Sequence, residues 1–129
     1  MRLLLDTHVM LWALLRSREL AKNAANALRS AENDVFVSAA SAWEVAIKSA
    51  AGKLRLPGAP QDWLPGALRV SGFESLDIRI EHALAAGALP DLHRDPFDRL
   101  LVAQALAEGL VIVTRDPRLA EYGAPVLAA

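Results

Sequence analysis

Two short apolar runs near opposite ends of the chain each lead into an aspartate, and this pairing restricts the fold more than any other feature. Arg2-Leu3-Leu4-Leu5 runs directly into Asp6, and the β-branched run from Leu110 to Thr114 runs into Arg115-Asp116. A short apolar run bounded by helical sequence reads as a strand buried on both faces, as in a parallel sheet covered by helices. Ligands of such sheets gather beyond the carboxyl ends of the strands, so both acids are expected on one functional edge.

The remaining pattern alternates in the same way. Helices are expected from Val9 to Leu15 and from about Ala21 to Ala31, the second with alanine and leucine on one face. Asn33-Asp34 then turns into a strand, Val35 to Ser38, and a helix from Ser38 to Ala51 is stopped by Gly52. Pro57, Gly58, Pro60, Pro65, Gly66 and Gly72 make the stretch from Leu54 to Gly72 read as loops around a short helix containing Trp63. A short strand from Glu74 to Leu76, a helix from Ile80 to Ala86 and a loop from Leu89 to Asp95 follow. Asp95-Pro96 opens the most regular helix, Pro96 to Glu108, which Gly109 closes. After the Leu110 to Thr114 strand, Asp116-Pro117 starts a last short helix and Val126-Leu127 supplies an edge strand. The expected fold is α/β: one domain over residues 1–129, a three-layer sandwich whose central parallel sheet of four to five short strands is flanked by helices.

Composition narrows the chemistry. With no cysteine among 129 residues, disulfides, thiolate nucleophiles and cysteine-ligated zinc are excluded, so any metal must sit on oxygen or imidazole. A formal net charge of −1 means that affinity for nucleic acid must come from a local basic patch. Asp6 interrupts the first apolar run, and no later run approaches the roughly 18–20 residues needed to cross a bilayer. A cytoplasmic location is expected, with no membrane partner.

Each acid alone has a structural explanation as good as a catalytic one. Asp6 and Asp116 both suit the N-cap of the helix that follows, and Asp95 suits the cap of the helix opened by Pro96, with Asp98 in its first turn. Glu44 fits capping less well, because Ser41-x-x-Glu44 lies inside the helix, between Trp43 and Val45. Together, two strand-end acids and two helix-borne acids on one rim form a single carboxylate cluster. Like charges about 4 Å apart repel by about 4 kcal/mol at an effective dielectric near 20, so such a cluster calls for a divalent cation or shifted protonation. Hard oxygen donors select Mg²⁺ or Mn²⁺, and an ion so held suits phosphodiester hydrolysis.

Around the acids, Thr7 and Thr114 are candidates to orient water or ligand through their hydroxyls, or to cap backbone. Arg94, Arg99, Arg115 and Arg118 flank the acids in sequence and are candidate phosphate contacts or solvated surface charges, and His93 beside Arg94 is a candidate substrate contact. The histidines share no metal-ligand spacing, and His8 and His82 read as surface or internally satisfied residues. Trp12, Trp43 and Trp63 are expected to pack in the core or against a partner.

These segments resemble the PIN domain family and, within it, the VapC-like toxins of type II toxin–antitoxin systems. The resemblance rests on Leu3-Leu4-Leu5-Asp6-Thr7-His8, Ser41-Ala42-Trp43-Glu44-Val45-Ala46-Ile47-Lys48, Gly52-Lys53-Leu54, the run from His93 through Ala105, and Val113-Thr114-Arg115-Asp116, in that order along nearly the whole chain. By position, the family's four acids fall on Asp6, Glu44, Asp98 and Asp116, with Asp95 an additional acid beside the third. The resemblance implies Mg²⁺- or Mn²⁺-dependent endoribonuclease activity on single-stranded or loop regions of RNA, frequently tRNA. It also implies a homodimer or a hetero-oligomer with a small antitoxin protein. The alternative is a non-catalytic PIN scaffold that binds RNA or protein. A phosphoacceptor receiver or a haloacid-type phosphatase would require paired or alternating acids where this chain has Asp6-Thr7-His8.

Overall fold

A computed structural model describes residues 1–129. Its elements are β1 (Arg2–Leu5), α1 (Thr7–Leu14), α2 (Lys22–Arg29), β2 (Asp34–Ser38), α3 (Ala39–Ala50), α4 (Pro60–Ser71), β3 (Glu74–Leu76), α5 (Ile80–Ala88), α6 (Pro96–Glu108), β4 (Val111–Thr114), a 3₁₀ helix (Pro117–Tyr122) and β5 (Val126–Ala128). The five strands form one sheet in the order β3-β2-β1-β4-β5, and every pairing is parallel. This is the expected α/β sandwich with its central parallel sheet.

The leucine run explains why β1 lies at the centre. Leu3, Leu4 and Leu5 are all fully buried, and alternation sends Leu3 and Leu5 to one face of the sheet and Leu4 to the other. Leu3 and Leu5 meet Val9, Met10, Val35, Val37, Val45 and Val113, while Leu4 meets Leu101, Val102, Leu110, Ile112 and Leu119. Each buried leucine contributes about 2 kcal/mol of transfer free energy, so a polar residue at any of the three would weaken both layers.

The largest departure from the expected elements is α4. The proline-rich stretch forms a helix from Pro60 to Ser71, because Pro60 occupies its first turn and Gly72 closes it in a left-handed conformation at φ 73°. Pro65 sits within it and lacks an amide to donate, yet Leu64 on the same helix is buried and Leu68 and Trp63 pack on the core, so packing outweighs the missing hydrogen bond. Helix α1 begins earlier than expected, at Thr7, because the Asp6 carboxylate accepts from the Val9 amide at 2.8 Å and caps it. Helix α3 is capped by Ser38, whose hydroxyl accepts the Ala40 amide at 3.0 Å.

Both ends of α6 agree with the sequence pattern: Asp95 caps it through the Phe97 and Asp98 amides, and Gly109 ends it at φ 67°. A polar latch ties α6 to the sheet. Gln104, fully buried, joins the Ser38 hydroxyl at the end of β2 to the Asp77 carbonyl beyond β3. On the far side of the molecule, buried His82 accepts the Arg79 amide on Nδ1, which leaves Nε2 to donate to Glu108 at 3.1 Å. No helix is long and apolar enough to cross a membrane.

Candidate active site

The carboxyl ends of β1 and β4 lie side by side, with the Asp6 amide donating to the Val113 carbonyl at 3.1 Å. Asp6 therefore emerges next to the segment that carries Asp116. Helix α3, leaving the end of β2, and the start of α6 bring Glu44 and Asp98 to the same place. Asp6, Glu44, Asp95, Asp98 and Asp116 line one cavity of about 200 Å³ together with Thr7, His8, Lys48, His93 and Arg118, and no apolar side chain is among them.

Two threonines set the geometry of the acids. Thr7 donates to Glu44 Oε1 at 2.6 Å and is also hydrogen-bonded to the Ser41 hydroxyl at 3.0 Å. The second oxygen of Glu44 takes an ion pair from Lys48 one helical turn on. Thr114 donates to Asp6 Oδ2 and accepts the Asp116 amide at 3.0 Å, so a single buried hydroxyl holds both strand-end acids. Asp116 in turn caps the 3₁₀ helix through the Arg118 amide and takes the Arg118 guanidinium on both oxygens.

The environments separate the acids electrostatically. Burial pushes the Asp6 carboxyl above the ordinary aspartate value, against the lowering effect of the Thr114 and Val9 hydrogen bonds. Burial does the same to Asp98, outweighing its hydrogen bond from His93. Asp116, close to solvent, is held below the ordinary value by its hydrogen bonds from Arg118. Burial thus opposes the charged form of two of the acids.

One group of donors is compact enough for a cation. Ligand atoms of His93, Asp98 and Asp116 all lie within 4.8 Å of one another, and His93 Nε2 is 2.7 Å from Asp98 Oδ2. An imidazole and carboxylates in a cavity without apolar walls suit a divalent metal, with Asp6 and Glu44 on the same wall. His93 is expected from the sequence as a substrate contact, not as a donor beside Asp98. It precedes Asp98 by five residues across a loop, a spacing that no helical or strand period brings together.

The other candidate contacts divide. Arg115 lies on the rim: its guanidinium stacks over Trp12 at 4.2 Å, bonds the Ala129 carbonyl and pairs with Glu19. Arg94 is exposed and does not line the cavity. Arg99, offered as a phosphate contact, does not line the cavity either. Its guanidinium donates to the carbonyls of Ala86, Leu89, Pro90 and His93, clamping the loop that carries His93. Trp63 packs on the core and Trp12 borders it, whereas Trp43 stands 63% exposed on α3 with its ring edge-on to Phe97 at 5.5 Å.

Comparison with known proteins places the chain in a family. The chain is 31% identical over 123 residues, covering 95% of this chain and 92% of the relative, to a protein named Ribonuclease VapC22 from Mycobacterium tuberculosis. Its fold matches VapBC2 from Rickettsia felis, solved bound to a promoter DNA fragment, with a TM-score of 0.74 at 19% identity over 99% of this chain and 98% of that one. It also matches a toxin–antitoxin complex from Klebsiella pneumoniae, with a TM-score of 0.64 at 21% identity over 96% and 94% of the two chains. A profile of the PIN domain matches residues 3–125. From the parallel sheet to the acids on its carboxyl edge, then, nearly the full length of this chain belongs to the PIN domain family.

Proposed function

We propose that the protein is a divalent-metal-dependent endoribonuclease that cuts single-stranded or loop regions of RNA, and that it acts as a toxin neutralised by a small antitoxin protein. One observation carries the reading: five carboxylates from four segments of the chain line a single polar cavity, and burial opposes the charged form of two of them. The relative named as a ribonuclease supports the same chemistry.

Asp6, Asp98 and Asp116 are assigned to hold one or two Mg²⁺ or Mn²⁺ ions, with His93 as the imidazole donor beside Asp98. A bound divalent cation supplies positive charge that acidifies a water and offsets the charge building on the phosphoryl oxygens. Glu44, fixed by Thr7 and Lys48, helps hold that cation or accepts the proton of the attacking water. Thr114 keeps Asp6 and Asp116 at one spacing. In-line attack forms the new phosphorus–oxygen bond and breaks the bond to the 3′-oxygen, which takes up a proton. The products are a 5′-phosphate and a 3′-hydroxyl.

Two surfaces support protein partners. A cavity of about 770 Å³ has Trp12, Leu20, Leu28 and Phe73 in its wall and Arg16 and Arg29 beside them, which suits an amphipathic antitoxin helix with acidic flanks. Trp43 and Ile47, exposed one turn apart on α3, suit contact with a second copy of the chain.

Incubating the purified protein with labelled single-stranded RNA tests the catalytic reading. Fragments should form with Mg²⁺ or Mn²⁺ and disappear with excess chelator or in Asp6→Asn. RNA bound but never cut under any metal would establish the non-catalytic scaffold instead. Growth arrest on induced expression, relieved by a co-expressed small partner, tests the toxin role.

A further inference from the structure

The acid cavity repels a polyanion on its own, so substrate must be held from its flanks, and the flanks are basic. On one side the cavity continues into a second, of about 250 Å³, that shares Thr7, His8 and Lys48 with it and adds Lys53. No carboxylate lines this second cavity. On the other side a third, of about 350 Å³, shares Asp6, His8 and Asp116 and adds Arg115. His8 borders all three, so each of the two flanking cavities adjoins the acid cavity.

Local structure explains why the lysines sit together. Helix α3 ends where Gly52 adopts φ 73°, and the reversed chain returns the Lys53 amide to the Lys48 carbonyl at 2.9 Å. Lys53 is exposed and forms no ion pair, whereas Lys48 reaches into the acid cavity toward Glu44. With a net charge of −1 on the whole chain, such local cations are the means by which it can attract phosphates.

We propose that the three cavities form one groove along which the sugar–phosphate backbone of the substrate strand crosses the acids, with Lys48 and Lys53 holding phosphates on one side of the cut and Arg115 holding those on the other. The assignment rests on the nuclease reading above and adds the path and the residues. Lysine serves here as a point charge that tolerates any base, as binding to a single strand without base readout requires.

The test measures binding of a short single-stranded RNA to the Asp98→Asn protein, which is not expected to cut, across a range of salt. Adding Lys53→Ala should weaken binding about five-fold at roughly 0.1 M salt and lower the salt slope by about 0.7. Lys53 has no ion-pair partner to lose, so its melting temperature should not change. Neutral methylphosphonate linkages are then stepped along the RNA. Lys53→Ala should become insensitive to neutral linkages on one side of the cut only, and Arg115→Gln to those on the other. An unchanged salt slope in Lys53→Ala, or equal insensitivity on both sides, overturns the groove. The parent protein is assayed for metal-dependent cutting in parallel. Cutting with an unchanged slope removes only the groove, and a changed slope without cutting removes only the nuclease reading.

Discussion

Thr114, the last residue of β4, donates its hydroxyl to Asp6 Oδ2 just beyond the end of β1, and its own hydroxyl oxygen accepts the Asp116 amide. The spacing of the two strand-end acids therefore depends on one side chain that is itself 1% exposed. Thr114→Val keeps the shape and removes both hydrogen bonds, leaving a buried carboxylate oxygen and an amide without partners. A loss of about 2 kcal/mol is expected, or roughly 5–10 °C in Tm, together with a large fall in cleavage. Thr114→Ser should recover most of both. Thermal melts and single-turnover cleavage of the two variants check this, and an unaltered Thr114→Val protein would show that the acids are positioned by other means.

The protonation of Asp6 gives a pH dependence whose sign follows from burial. Because the folded state raises its carboxyl above the ordinary value of 3.8, the folded chain binds this proton more tightly than the unfolded chain does. Without metal, stability should then fall as pH rises from about 4 through the raised value, and Asp98 adds to the fall in the same direction. Asp6→Asn removes the charge while its side-chain oxygen still accepts the Val9 amide. In the presence of chelator it should raise Tm at pH 7, and a gain of about 1 kcal/mol would appear as roughly 3–5 °C. The gain should vanish at about pH 3, below the ordinary value, where a carboxyl raised above that value is protonated in the parent protein. Melts at the two pH values decide the matter, and a variant less stable than the parent at pH 7 contradicts the assignment of burial as the dominant effect.

The parts of this fold that are legible in the sequence are those where local and long-range signals agree. Helix α6 carries a cap, a proline in the first turn and a closing glycine, and it spans Pro96 to Glu108 as its pattern indicates. Asp6 and Asp116 are legible as neighbours because parallel strands put their carboxyl ends on one edge. Helix α4 is legible only as a short helix around Trp63, since Pro60 and Pro65 read as breaks, and the packing of Leu64, Leu68 and Trp63 on the core carries it from Pro60 to Ser71. Arg99 is legible as a sequence neighbour of Asp98 but not as a loop clamp, for a geometric reason. It adjoins Asp98 in sequence, but one residue along a helix turns the side chain by about 100°, away from the cavity that Asp98 faces. His93 is legible as a contact near the site but not as a partner of Asp98, because a loop, not a period, folds it back onto that carboxylate.

The loop clamp formed by Arg99 predicts a loss of stability rather than of substrate affinity alone. Its guanidinium meets carbonyls of Ala86, Leu89, Pro90 and His93, at distances of 2.9 to 3.2 Å. Arg99→Ala should cost about 2–4 kcal/mol, because four carbonyls lose a charged donor at once. Arg99→Lys should recover little, since one ammonium group cannot reproduce the planar fork. Chemical denaturation of the two variants measures the cost. Wild-type stability in Arg99→Ala, with weakened RNA binding, would return Arg99 to the role of a phosphate contact.

His93 lies 2.7 Å from Asp98 Oδ2, is partly enclosed, and has its backbone carbonyl held by Arg99 and by the Tyr122 hydroxyl at 3.3 Å. A ring pinned in this way either donates directly to a divalent ion or orients the carboxylate that does. Removing it as His93→Ala should weaken Mn²⁺ binding about 10–100-fold, the range seen when an outer-shell partner of a metal ligand is lost. Titration calorimetry or Mn²⁺ paramagnetic resonance reads this without reference to cleavage. His93→Gln separates the two roles, because its amide can still hydrogen-bond Asp98 but is a poor substitute for imidazole as a ligand to Mn²⁺. Recovery of affinity in His93→Gln assigns orientation, continued loss assigns direct ligation, and unchanged affinity in His93→Ala would mean that the carboxylates hold the ion without His93.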